Sequence, residues 1–446
     1  MRSVEVPDRD GRTEEIVGAL RGAFSDLMDA DPAAFRTKFR KMARDPFAFY
    51  RGSACLFYAD MAGPYADVDQ RWADGAGARV WIQGDLHAEN FGTYLDRTGR
   101  LVFDVNDFDE AYLGHWTWDL RRFVASLALL CWQKALPDRT IDALVETYVR
   151  AYVDQVHHYV DAVDDTEWAL TLDNAEGAVL DALRRAKLST RFALLESVTV
   201  VDSYRRRFAD LAGVRRLPDD ERAGLLTAFD AYRATIPEPH KDSNVVFEVL
   251  DAVGKAGFGI GSAGLPAYNV LIEGFNQALD NDVVLTVKQG NVAAASRVVR
   301  DPQILAAFEH DGHRTAVSQR ALQAHADRFL GWTTIGGRGF VVSEYSPYEQ
   351  DLEWAELTEP EDMTVLVGQL GRATAKIHCV ADDESGEDLV DGSVEQVVAD
   401  AVGDDVDLLV TDLCAFAHEY ADRTRDDHRL FVDAFRGGAF SVVAPA

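Results

Sequence analysis

The chain has 446 residues, 47% of them hydrophobic, and its 75 acidic against 45 basic side chains give a formal net charge of −30. A surface this acidic repels phosphate backbones and anionic bilayers, which argues against nucleic acid and membranes as partners. No run of about 18 apolar residues is present to span a bilayer, and the charged start MRSVEVPDRDGRTEE lacks the apolar segment of a secretory signal, so a cytoplasmic protein is expected. Lysine occurs only eight times, and arginine carries most of the positive charge. That balance resembles proteins working in high salt, where screening permits such charge; the plain alternative is a generally acidic soluble protein. Cys55, Cys131, Cys379 and Cys414 are far apart and form no CxxC, as expected of buried thiols in a reducing compartment.

The length fits two or three lobes of ~100–200 residues. Apolar residues at three- and four-residue spacing predict helices over 13–30 and 33–45. Short strands follow at 79–83 and 101–105, with the turn DRTG between them. The chain then reads as helix from Asp119 to about Lys134, and again over 138–163, 175–187, 191–211 and 218–234. PEPHKDSN at 237–244 marks a boundary. Beyond it VVFEVLDAV, YNVLIEGF, DVVLTVKQG and GFVVSEY read as strands, interrupted by one helix at about 301–328. Helices resume at 361–380, 393–402 and 407–436, after and around an acidic loop at 381–392. The expected class is α+β. An N-terminal helical segment (1–78) joins a helical lobe with polar loops (79–240), a β-rich lobe follows (245–345), and C-terminal helices return to the helical lobe (346–446).

The densest polar segment lies in VWIQGDLHAENFG, residues 80–92, at the end of a predicted strand. Asp85 and Asn90 stand five apart, and the next strand leads to NDFDEA with Asp107 and Asp109. Phosphoryl transfer needs a carboxylate to receive a hydroxyl proton, and an Asn and an Asp to hold magnesium against phosphates. Magnesium takes oxygen ligands and asks only one or two carboxylates of a protein. Two polar turns flanking a hairpin are the bland alternative, which the ordered set Asp85, Asn90, Asp107 outweighs. Downstream, GFGIGSAGLPAYNVLI holds Gly259, Gly261, Ser262 and Gly264 in G-x-G-x-x-G spacing before a strand, and VLTVKQG carries Lys288. Such glycines let backbone amides approach phosphates, and a strand lysine pairs with them. A strand rather than a helix follows the glycines, which disfavours a dinucleotide fold. No HExxH, Cys/His or Gly-x-Ser-x-Gly pattern occurs, so a zinc centre and an α/β-hydrolase are disfavoured.

GDLHAEN followed by NDFDEAYLGHWTWDL resembles the catalytic segment of the aminoglycoside phosphotransferase and choline kinase branch of kinase-like enzymes. There the pattern is His-Gly-Asp-x-x-x-x-Asn, then Ile-Asp-Phe, then Gly-Asp-Pro-x-x-Asp-Leu. The resemblance implies Asp85 as catalytic carboxylate, Asn90 and Asp107 as metal ligands, and Asp119 as the brace of the catalytic loop; Asp109, read from its place beside Asp107, is a second metal ligand or a bracing carboxylate. Two positions depart from it. Gln83 stands where the pattern has His, and His115-Trp116 where it has Asp-Pro. GQLGRATAKIHCVADD at 368–383 resembles the helix that precedes the catalytic loop in those enzymes, yet it lies near the C-terminus. The implied fold is therefore a protein kinase-like, two-lobed fold in circularly permuted order. The chain also resembles a large bacterial family of uncharacterised proteins through PFAFYRG, GDLHAENF, NDFDEA, GIGSAG and VKQG. That likeness implies no substrate.

Together these readings predict an ATP- and Mg2+-dependent phosphotransferase acting on an unknown hydroxyl acceptor, a small molecule or a protein. A nucleotide-binding pseudokinase with a regulatory role and a metal-dependent phosphohydrolase are the alternatives. Arg51 and His87 are supporting candidates: Arg51 either approaches phosphate or pairs with a carboxylate, and His87 reads first as structural. Glu89 is expected to face solvent. An acidic partner for Lys288 is expected on the following helix, with Glu309 the candidate and Gln319 a neutral stand-in.

Overall fold

The computed structural model describes residues 9–73, 78–162, 165–237, 247–255, 265–274, 279–382, 385, 389–440 and 443. Four helices lead the chain: α1 (Arg9–Ala30), α2 (Pro32–Met42), α3 (Pro46–Gly52) and α4 (Ala54–Ala62). α2 and α3 both begin with Asp-Pro. The Asp31 and Asp45 carboxylates accept the N–H groups of Ala34 and Ala48, and proline takes the first helical position, where its missing N–H costs nothing.

The polar loops are held by two nested antiparallel ladders. β1 (Arg79–Ile82) pairs with β4 (Tyr112–His115), and β2 (Phe91–Leu95) pairs with β3 (Leu101–Val105). The inner hairpin is reached from β1 through residues 83–90 and left for β4 through 106–111. Both loops therefore lie where one ladder hands over to the other, and they face each other. β4 runs directly into α5 (Trp116–Gln133), so no separate turn stands at His115-Trp116. α6 (Asp138–Val160) and α7 (Gly177–Leu188) follow.

The next segment departs from the expected helix 191–211. α8 (Arg191–Val198) stops early, and β5 (Thr199–Asp202) and β6 (Arg205–Phe208) form a hairpin. The β-branched run Thr199-Val200-Val201 favours extension, and Ser203 and Tyr204 both have positive φ, 51° and 66°, as a two-residue hairpin turn requires. β7 (Val214–Arg216), α9 (Asp219–Tyr232), β8 (Val249–Lys255), β9 (Ala267–Ile272) and β10 (Val283–Gln289) come next. The expected helix over 301–328 divides into α10 (Pro302–Ala307) and α11 (Asp311–Gln323), with His310 capping α11 by accepting the His313 N–H. β11 (Gly331–Ile335), not anticipated from the sequence, and β12 (Arg338–Glu344) complete a six-stranded antiparallel sheet of order β11-β12-β10-β9-β8-β7.

Alternation along these strands gives the sheet two apolar faces. Val270, Leu285, Phe340 and Val342 pack with Leu225, Phe229 and Tyr232 of α9. Val253, Leu271 and Val284 pack with Leu195 and Phe208. The core of the β-rich lobe thus draws in residues from α8 onward, well before residue 245. α12 (Pro360–Cys379), α13 (Val394–Val402) and α14 (Val406–Arg436) share one hydrophobic core with α1–α6. Phe39 and Phe49 meet Phe431 of α14 at ring-centroid distances of 5.5 and 5.1 Å. The fold is mixed α+β. Among the described residues no helix is long and apolar enough to cross a membrane.

Candidate active site

One buried carboxylate organises the loop after β1. Asp119, in the first turn of α5, accepts the backbone N–H groups of Gln83 and Gly84 at 2.7 and 3.0 Å. His378 of α12 lies 3.3 Å from the same carboxylate through Nε2, and its Nδ1 is 2.9 Å from the Tyr152 hydroxyl. Helices distant in sequence thereby fix the strand end. Gly84 has φ +83°, and a Cβ there would overlap the Glu110 carbonyl, so glycine is required.

Gln83 links the two loops. Its Nε2 donates to the Asn106 and Asp107 carbonyls at 3.2 and 2.6 Å, and its Oε1 accepts the Asp85 N–H at 2.8 Å. Asn90 donates through Nδ2 to the Asp85 carbonyl at 3.0 Å, and the Asn106 N–H returns to the Asn90 carbonyl at 3.0 Å. Asn90 Oδ1 has no protein donor among the described residues and lines the cleft described below.

Asp85 is ion-paired with Arg122 of α5, whose Nε donates to Oδ1 at 2.6 Å. Arg122 is fully buried, with its guanidinium 4.3 and 5.1 Å from the Tyr50 and Phe57 ring centres. Burial drives the Asp85 carboxyl up to about 6, even against that guanidinium. His87 is buried, and burial with the nearby Arg51 and Arg122 charges holds it well below its ordinary value, so its ring is neutral. Arg51 Nε lies 3.3 Å from His87 Nε2, and its Nη1 pairs with Glu89, which therefore has a partner rather than a purely solvent role.

The second loop carries Asp107 in the left-handed region, φ 56°, which Asp tolerates better than bulkier residues. Its side chain is exposed to the cleft, and partial desolvation by the surrounding protein with the neighbouring Asp109 charge raises its pKa. Asp109 pairs with Lys288 of β10. Burial works against the Lys288 ammonium, but Asp109 and Asp107 together hold it above the ordinary lysine value. Arg314 of α11 clamps the loop to the other lobe: it donates to the carbonyls of Ala111, of Asp109 at 2.7 Å and of Asn291 at 2.7 Å.

Between these loops and the sheet lies a cleft of about 430 Å3. Asn90, Asp107, Asp109, Lys288 and Arg51 share it, while Asp85 lines an adjoining smaller cavity instead. The far wall is acidic, with Asp327, Glu344, Glu349 and Asp351. Burial and the neighbouring carboxylates push Asp327 up to about 6 and Glu349 to about 8. The face of α11 turned to the cleft is neutral: Thr315, Gln319 and Gln323 line it at four-residue spacing.

Several expectations meet different geometry. Glu309 is exposed on the turn before α11 and has no contact with Lys288; Gln319 bonds to Gln323 at 3.0 Å. The carboxylate that meets Lys288 comes from Asp109, which was expected beside Asp107 as a ligand. Gly259, Gly261, Ser262 and Gly264 lie outside the described residues; the flanking strands β8 and β9 are antiparallel neighbours. Asp104 is buried against Lys376 of α12 and takes no part in the cleft. Arg122 and Arg314 were missed. Arg122 sits in the aromatic run WTWDLRRF, which reads as core packing, and nothing local distinguishes Arg314 from a surface arginine.

Among the described residues no three His, Cys, Asp or Glu side chains gather as a metal cluster. A family model described as an uncharacterized protein conserved in bacteria (DUF2252) matches residues 30–434. No curated protein and no solved structure matches the chain.

Proposed function

The chain belongs to that uncharacterised bacterial family, and from its cleft we propose an ATP- and magnesium-dependent phosphotransferase that acts on a hydroxyl acceptor. The observation carrying this reading is the Lys288–Asp109 pair, which joins a lysine of the sheet to the loop bearing Asp107. Protein kinases keep their phosphate-binding lysine on the third strand, after a glycine-rich hairpin. Here β8, β9 and β10 are successive neighbours, the glycine-rich sequence falls between β8 and β9, and a helix, α11, follows before the sheet is completed. The loop of Asp85 precedes all of this in the chain, and α12, whose His378 touches Asp119, follows it. That order supports a permuted kinase-like arrangement.

Asp107 and Asn90 suit magnesium: both offer hard oxygen donors, and the amide oxygen of Asn90 is free of protein donors among the described residues. When bound, the metal neutralises charge on the phosphates. Asp85 takes the acceptor's hydroxyl proton. The acceptor oxygen bonds to the terminal phosphorus as the bond to the diphosphate breaks, and ADP leaves with that electron pair. Lys288 neutralises phosphate charge, Arg122 fixes the Asp85 carboxylate, and Gln83 holds the two loops in register. The carboxylates of the far wall suit hydrogen-bond donors, such as the exocyclic amine of adenine.

The neutral face of α11 favours a second reading, a nucleotide-binding regulatory protein, because no carboxylate from that helix meets Lys288. Thermal unfolding and turnover separate the two. ATP with magnesium is expected to stabilise the protein, an effect lost in Lys288→Ala and kept in Asp85→Ala. Phosphoryl transfer lost in Asp85→Asn supports the enzyme; unchanged transfer removes Asp85 from the chemistry.

A further inference from the structure

Asp85 lines a smaller cavity that adjoins the main cleft and shares Arg51, Asp107 and Asp109 with it. The N-terminal helices wall its other side, and α2 contributes Lys38, which is only 3% exposed. The other charged groups around this cavity are largely accounted for. Asp85 pairs with Arg122, Asp109 with Lys288, and Arg51 with Glu89. Glu110 accepts from Asn291 Nδ2 at 2.7 Å and from the Ala294 N–H, and Arg297 donates to the Gly22 and Ala23 carbonyls at 3.1 and 3.2 Å. Asp107 is the carboxylate assigned above to magnesium.

Lys38 is different. Its ammonium lies 3.9 Å from the Phe24 ring centre and 5.5 Å from that of Phe35, and among the described residues it has no hydrogen-bond or ion-pair partner. Cys55, which lines the same cavity, does not supply the counter-charge, because burial raises its thiol to about 11 and it keeps its proton. A buried ammonium with no direct partner is left under-solvated, and its aromatic neighbours offset only part of that cost. Burial accordingly pulls the amine down to about 8, against the charges of Glu110 and Asp85, which favour the ammonium across the cavity without a direct bond to it. The natural relief is an anion supplied from outside. The cavity's free volume of about 30 Å3 holds roughly two water-sized groups at ~10–15 Å3 each, the size of the two oxygens of a carboxylate.

We propose that this cavity anchors a carboxylate of the acceptor on Lys38, so that the acceptor is a hydroxy acid whose hydroxyl reaches Asp85. The assignment of the ligand as acceptor rests on the phosphotransferase reading; the anion site itself does not.

The test is thermal unfolding of the full chain in sodium acetate, in sodium phosphate and in sodium chloride at equal ionic strength, and in acetamide as the neutral isostere. Acetate is expected to raise the melting temperature saturably and beyond the screening effect of sodium chloride at equal ionic strength, and acetamide is not expected to raise it. Lys38→Met keeps the apolar stem against Phe24 and Phe35; it is expected to weaken the apparent acetate affinity roughly tenfold or more. No Lys38-dependent shift with either acetate or phosphate, or the same shift in Lys38→Met, overturns the site. A Lys38-dependent shift with inorganic phosphate but not with acetate overturns the carboxylate. Stabilisation by ATP with magnesium is read on the same samples. If it is absent while the acetate effect stands, the anion site holds and its role as the acceptor's anchor is overturned.

Discussion

Gln83 Nε2 donates to the Asp107 carbonyl at 2.6 Å, so a single side chain ties the loop of Asp85 to the loop of Asp107. Replacing it by Leu leaves the Asp85 N–H and the Asn106 and Asp107 carbonyls without this partner. Unpaired buried polar groups cost about 1–3 kcal/mol, and a loss of that size is expected in the denaturant midpoint of Gln83→Leu. Turnover should fall further than stability, because both loops lose their mutual register. Gln83→His, the residue that the phosphotransferase pattern carries here, is expected to keep more activity than Gln83→Leu. Equal activity of the two variants would remove Gln83 as a positioning residue.

Asp85 and Arg122 set a pH limit. Burial raises the Asp85 carboxyl to about 6, and proton acceptance requires the ionised form. With Asp85 in the proposed role, activity is therefore expected above pH 6 and is expected to be lost as pH falls through it. The acid limb of kcat/KM for basal ATP hydrolysis is expected at about 6. Arg122→Met removes the charge that opposes the rise, so the limb moves to higher pH. It also leaves a buried carboxylate unpaired, which costs about 3–5 kcal/mol of stability. A limb that stays in place in Arg122→Met would show that another group titrates.

What the sequence discloses follows distance along the chain. Asp85, Asn90, Asp107 and Asp119 fall within one nested hairpin and the helix after it, where spacing alone restricts the geometry. Lys288 and Asp109 are 179 residues apart, and only the tertiary fold decides which carboxylate a strand lysine meets. The expectation of a helix carboxylate failed because α11 turns Thr315, Gln319 and Gln323 to the cleft. Lys38 and Arg122 were illegible for a related reason: on a helix with an apolar face, a cation looks the same whether it lies over solvent, a pocket or a core. The hairpin of β5 and β6 hid behind apolar residues that fit both periods, and two residues at positive φ decided it.

Arg12 provides a contrast between buried and exposed pairs. Its side chain is 4% exposed and bridges Asp60 and Asp427, tying α1 to α4 and α14. Arg12→Met leaves Asp427 without its ion pair and Asp60 with only the longer 3.4 Å contact to Arg423, and a loss of about 3–5 kcal/mol is expected in chemical unfolding. Arg9, one turn earlier, pairs with Asp433 while 73% exposed, and Arg9→Ala is expected to leave the midpoint unchanged. Comparable losses in both variants would mean that α1 docks through its surface charges and not through the buried cluster.

The net charge of −30 predicts how stability responds to salt. Unpaired acidic side chains repel one another over about 10 Å at 0.1 M ionic strength and about 3 Å at 1 M. Exposed pairs such as Arg9–Asp433 and Arg429–Asp426 weaken as salt rises, but each contributes little. The buried pairs Arg12–Asp60, Arg122–Asp85 and Lys376–Asp104 are shielded from solvent ions and change little. The screened repulsion therefore outweighs the screened attraction, and the melting temperature is expected to rise from dilute to molar potassium chloride. A flat or falling melting temperature would show that the acidic surface carries no stored repulsion and that the chain is not adapted to high salt.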